Sequence, residues 1–180
     1  MFSAWLRLNA VSATATTNFP RLLNKRRAPV LIASHAAVAV VRFAAGIYVL
    51  PILIAPAAPT VAELKAATAQ VQFTGQFNRD LQHSDALHWG KGTLSVAANA
   101  ISLVGKISPG PNYRLYLSAE FVETEADFKR LKSRMVRVGD VNTFENFVVQ
   151  VSAGFEPGKY SSAIVWRKVF GQFTTAAKYQ

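Results

Sequence analysis

The chain has 180 residues, 51% of them hydrophobic, a formal net charge of +10 and no cysteine. That length holds one domain of ordinary size with an appendage, not two full domains, and the missing cysteines exclude disulfides, thiolate metal sites and thiol nucleophiles. Arg7, Arg21, Lys25, Arg26, Arg27 and Arg42 all precede the first acid, Glu63, so the remainder is only mildly basic and nucleic acid is not an expected partner.

Residues 1–27 read as a basic cytoplasmic tail and residues 28–56 as a transmembrane anchor region. From Ala28 to Pro56 the chain is almost wholly apolar, with Arg42 its one charge. About 20 such residues cross a bilayer as a helix. A charge at mid-span costs roughly 2.5–3.5 kcal/mol, and a span over 36–56 relieves this by bringing Arg42 close enough to one end to snorkel. Within that span, Leu50-Pro51 is a place for the helix to end or kink. Lys25, Arg26 and Arg27 precede the span, and nothing charged follows it until Glu63. The positive-inside rule then puts the N-terminus in the cytoplasm and the rest outside. Two other readings stand beside the anchor. Ala55-Pro-Ala57 loosely resembles a signal-peptide cleavage site, and the acid-free opening resembles a transit peptide. The long region before the span and the span's own length favour the uncleaved anchor.

Residues 57–70 read as a linker or stalk that is stiffened by proline. Within it, Thr60 and Glu63 form a capping-box pattern for a short helix through about Thr68.

Residues 71–180 predict an all-β domain, a small antiparallel sandwich or barrel with one short helix near 125–135. Val71, Phe73 and Phe77 alternate around Gly75. Thr93–Ala97 and Ile101–Val104 flank a turn at Ala98-Asn99-Ala100. Ser108-Pro-Gly-Pro-Asn112 is a strong turn signal before Tyr113–Ser118. Phe147–Val151 and the long run from Tyr160 follow. Between them, Thr124 and Asp127 make a capping pattern, and Phe128, Leu131 and Met135 recur at helical spacing. Lys129, Arg130, Lys132 and Arg134 cover the other face of that helix, a solvated basic face or a contact for anionic headgroups.

Four segments carry a family resemblance: Phe73-Thr-Gly-Gln-Phe77, His88-Trp-Gly-Lys-Gly-Thr-Leu-Ser-Val96, Gly110-Pro-Asn-Tyr-Arg-Leu-Tyr-Leu-Ser118 and Tyr160-Ser-Ser-Ala-Ile-Val-Trp166. Together they resemble the DM-thirteen domain, a small β-rich module found beside DOMON domains in animals and alone in many bacteria. The motif positions are Gly75, Phe77, His88, Gly92, Gly110, Pro111, Tyr116, Tyr160, Trp166 and Phe170. The anchor and stalk are similar to those of bacterial membrane-attached members, and the resemblance implies a domain on the periplasmic or outer face of an inner membrane. It also implies electron transfer through a cysteine directly after the tryptophan, as a bare thiol or as the holder of a group such as haem. Here that residue is Arg167, whose guanidinium neither cycles like a thiol nor ligates a metal.

On an ideal strand Ala163, Val165, Arg167 and Val169 share one face, and Ile164, Trp166, Lys168 and Phe170 the other. Each apolar face thus receives one cation, which must reach solvent or a partner. The preferred expectation is that the strand ends or bulges there and both cations snorkel out. Alternatively, Arg167, with Trp166 and Lys168, forms an anion- or partner-binding site. A weaker candidate is a metal site at His83, Asp85 and His88, against a structural role for His88 at a sheet edge. No catalytic constellation is present in the sequence, and enzymatic activity is not expected. The expectation is a membrane-anchored, non-catalytic accessory or interaction module for an envelope protein or surface ligand, without a cofactor. The alternative is an electron-transfer component that holds haem or a metal ion without cysteine.

Overall fold

The computed structural model describes residues 27–180. The tail at residues 1–26, including Lys25 and Arg26, lies outside the described residues.

Helix α1 (Arg27–Leu53) buries none of its side chains and is long and apolar enough to cross a membrane. At 1.5 Å per residue it measures about 40 Å. Pro51 sits inside its last turn without ending it; a proline there forfeits one backbone hydrogen bond, and the helix closes two residues later.

Helix α2 (Val61–Ala67) starts at the expected capping box, with Thr60 accepting from the Glu63 amide and Glu63 accepting from the Thr60 amide. It is not part of a free stalk. Leu64 is fully buried, the Thr68 hydroxyl meets Ser102 Oγ at 3.3 Å, and Asn99 donates to the Ala67 carbonyl. Asn146 donates to the Pro59 carbonyl at 3.1 Å. From Pro59 onward the linker is therefore fastened to the β domain.

That domain is a sandwich of two four-stranded antiparallel sheets. The first sheet has the order β1-β2-β3-β6, from β1 (Val71–Phe77), β2 (Gly90–Ala97), β3 (Ala100–Ile107) and β6 (Glu145–Gln150). The second has the order β5-β4-β7-β8, from β4 (Tyr113–Ser118), β5 (Val136–Val141), β7 (Ser162–Arg167) and β8 (Gln172–Lys178). The β1 and β8 edges approach each other, as do β5 and β6. At the first of these seams a Cβ on Gly75 would stand 2.7 Å from the Lys178 carbonyl oxygen, which explains why glycine occupies a strand interior there.

Alternation sorts the side chains between two apolar clusters. Leu94, Val96, Ile101 and Leu103 of the first sheet meet Leu115, Leu117, Ala163 and Val165 of the second in the main core. Each fully buried Leu, Ile or Val there contributes about 1.5–3 kcal/mol. The outer face of the second sheet carries Tyr116, Ile164, Trp166 and Phe173, covered by Val122, Phe128 and Leu131. The last two belong to α3 (Glu125–Leu131), whose N-terminus Thr124 caps by accepting from the Asp127 amide. The helix tightens into a 3-10 turn over Lys132–Arg134, and Met135 is already extended. Its basic face is largely paired: Lys129 with Glu125, Arg130 with Glu120 and Asp127, and Arg134 with Glu120.

Strand β5 has no counterpart in the sequence reading, and the long run from Tyr160 is not one strand. It ends at Arg167, turns over Lys168–Gly171 with Gly171 at φ +63°, and returns as β8.

Candidate functional site

The site sits at one end of the sandwich, where β7 ends and β4 begins. Tyr113 and Arg167 are register partners on these neighbouring strands. Parity aims Arg167 the same way as Ala163 and Val165, into the space between the sheets. Arg167 is only 7% exposed. This corrects the expectation that both cations snorkel out: the strand does end at Arg167, and exposed Lys168 does reach solvent, but Arg167 turns inward.

The terminal nitrogens of the buried guanidinium are met by dipoles rather than by a direct carboxylate. Nη2 donates to the Tyr113 hydroxyl at 2.7 Å, to the Pro109 carbonyl at 3.2 Å and to the Leu87 carbonyl at 3.3 Å. Nη1 lies 3.2 Å from His88 Nε2, while Nε has no partner. The Arg167 carbon Cζ also stands 5.3 Å from the centre of the Tyr113 ring, within cation–π range. Tyr113 in turn donates to the Ser108 carbonyl at 2.8 Å. Arg167 thereby ties the loop before β2 and the turn before β4 to the end of β7. Gly110 makes room for this, since a Cβ there would collide with Arg167 Nη2 and stand 2.6 Å from the Tyr113 hydroxyl.

His88 extends the network to an acid. Its Nδ1 lies 2.9 and 3.0 Å from the two oxygens of Asp85. Nε2 stands between Arg167 Nη1 at 3.2 Å and the Gln172 carbonyl oxygen Oε1 at 3.1 Å; its lone pair accepts from the first, whereas a proton on it donates to the second, so the two contacts belong to different tautomers. Asp85 also accepts from the Leu87 and His88 amides at 2.6 and 2.8 Å, a turn typical of aspartate. Partial burial pushes the Asp85 pKa up, but the His88 contact and these two amides more than offset that, so it lies below the usual carboxylate value.

The other candidate residues do not converge. Trp166 points to the opposite face from Arg167 and stacks on Phe128, with centroids 3.8 Å apart and planes at 6°. Phe128 meets Tyr116 edge-on at 5.1 Å. Lys168 is exposed in the β7–β8 turn, its amide donating to the Asn112 carbonyl. Arg167, Trp166 and Lys168 thus point in three directions, and the expected joint site is not assembled. Exposed His83 accepts from the Glu125 amide at 3.4 Å and lines the same surface cleft as Asp85 and His88. Among the described residues no group of three His, Asp or Glu side chains is placed to hold a metal. Of the remaining motif positions, Phe77 and Tyr116 are buried, Tyr160 stacks with Phe155, and Phe170 is half exposed in the turn. Gly92 lies in β2 and Pro111 in the turn before β4. Tyr113 and Gln172 are the residues the sequence reading missed. Alternation marks Tyr113 as core, and nothing local pairs position 113 with position 167.

Two antiparallel sheets, a covering helix and a polar clasp at one end define a small all-β domain attached to an apolar helix. The chain belongs to the family described as Electron transfer DM13, which matches residues 76–179. No curated protein and no solved structure matches it. Position 167, directly after Trp166, offers no thiol: a guanidinium stands there, its space fixed by Gly110 and its two terminal nitrogens turned to protein partners.

Proposed function

We propose that this chain is a membrane-tethered DM13 domain working as a non-catalytic accessory or interaction module outside the cytoplasm. Its N-terminus lies in the cytoplasm, α1 is the single span, and the partner is an envelope protein or surface ligand rather than nucleic acid. The inner membrane of a bacterium is the setting that the resemblance suggests. One observation carries this reading: Arg167, where the resemblance would expect a redox cysteine, is buried and spent on holding two loops. A clasp of this kind rigidifies a surface rather than exchanging electrons. The long apolar helix and the basic residues before it support the tether.

The family description favours one other reading, electron transfer through a group held without cysteine. Full-length protein, purified from membranes in detergent, separates the two by its visible spectrum and metal content. Colourless protein without stoichiometric iron or copper is the expected outcome. A haem band or one metal equivalent per chain would overturn the interaction reading.

A further inference from the structure

The end of the sandwich that carries Arg167 is also the end at which the chain is tied to α1. The Pro59 carbonyl is held by Asn146, whose own side chain accepts from the Gly105 amide. From there hydrogen bonds lead along the same end: the Ile107 amide to Phe144, the Ser108 amide to Trp89, and His88 to Arg167. Only residues 54–58 lie between the end of α1 at Leu53 and this attachment. Fully extended, that stretch reaches about 20 Å.

The most exposed apolar side chains of the domain lie on the loops joined to Arg167, while Val71 and Val136 are exposed at the other end. The domain's three most exposed large ones are Val169 at 56%, Leu87 at 51% and Phe170 at 48%. Val169 and Phe170 form the tip of the β7–β8 turn beside exposed Lys168, and Leu87 lies on the neighbouring loop, whose carbonyl Arg167 holds. A hydrophobic tip flanked by a lysine suits the boundary between lipid headgroups and acyl chains.

Resting on the membrane-tethered reading, we propose that this end of the sandwich seats on the bilayer surface. Val169, Phe170 and Leu87 enter the headgroup–acyl boundary, and Lys168 meets lipid phosphates. The occupant of the patch is the membrane that holds the tether, not a second protein.

The natural absence of cysteine makes the test direct. Phe170→Cys, Val169→Cys and, at the far end, Ala98→Cys variants of the full chain are spin-labelled and reconstituted into vesicles of phosphatidylethanolamine and phosphatidylglycerol. Oxygen and a water-soluble nickel chelate then report depth. Labels at 169 and 170 are expected about 5–10 Å inside the phosphate plane, and the label at 98 in water. Labels at all three positions equally open to nickel would overturn the proposal. So would labels at 169 and 170 shielded from both oxygen and nickel, which would mean a protein partner. An alkaline carbonate wash separates the two levels: protein released by it defeats the tether itself, whereas protein retained with water-exposed labels defeats the seating alone.

Discussion

Replacing Arg167 by alanine removes a cation that reaches the Leu87 and Pro109 carbonyls, the Tyr113 hydroxyl and His88 from a position only 7% exposed. All four acceptors lose a charge-assisted bond at once, and the side chain leaves a void between the sheets. Leaving buried acceptors without their charged donor costs about 1–3 kcal/mol, whereas truncating an arginine in solvent costs about 0.5 kcal/mol or less. For a domain of this size 1 kcal/mol corresponds to about 4 °C, so Arg167→Ala is expected to lower Tm by about 4–12 °C. Near-UV circular dichroism of the full chain in detergent reads the transition, since the packed aromatics around Trp166 supply the signal. A fall of less than about 3 °C would refute the buried clasp. Arg167→Lys sharpens the comparison. A single ammonium cannot span acceptors contributed by two loops and a ring, so it should melt between the alanine variant and the native protein.

Three further outcomes follow from the packing and the charges. Leu64→Ala should cost about 2–5 kcal/mol by thermal melt, because Leu64 is buried against the first sheet; an unchanged Tm would refute that packing. Phe128→Ala should cost about 3–5 kcal/mol and shift tryptophan emission to the red, as Trp166 loses the ring stacked on it. The Asp85 carboxyl is held below its usual pKa, so its contribution is present above the unfolded value near 4 and is lost as pH falls through the folded one. Acid titration from pH 6 to pH 2, followed by fluorescence, should therefore show a weaker pH dependence in Asp85→Asn than in the native chain. Equal dependence would remove Asp85 from the network.

Strands whose alternation was uninterrupted could be read directly. Tyr113, Leu115 and Leu117 face the main core as their spacing implied, and Thr60 with Glu63 set the start of α2. The β8 strand was hidden because Gln172–Lys178 is rich in Thr and Ala rather than in large β-branched residues, and its burial comes from packing. The β5 strand was hidden because Val136–Val141 is an edge with mostly exposed residues. At the site, parity sorted Trp166 from Arg167, but the inward fate of Arg167 was not legible. Its acceptors come from positions 87, 88, 109 and 113, and two of them are backbone carbonyls that any residue could supply. Only Gly110 hinted at a close approach. Sequence chemistry names the charge; tertiary pairing decides whether it is solvated or enclosed.

The seam where Gly75 of β1 meets the Lys178 carbonyl of β8 joins the domain's first strand to its last. β7 also depends on β4, far upstream, for its inner neighbour. Synthesis therefore completes the first sheet before β7 and β8, so half of the opposing sheet reaches the ribosome exit last. Such a topology concentrates closure in one late, long-range event. Truncation within β8 should accordingly leave an open, chaperone-dependent chain rather than a slightly weakened sandwich.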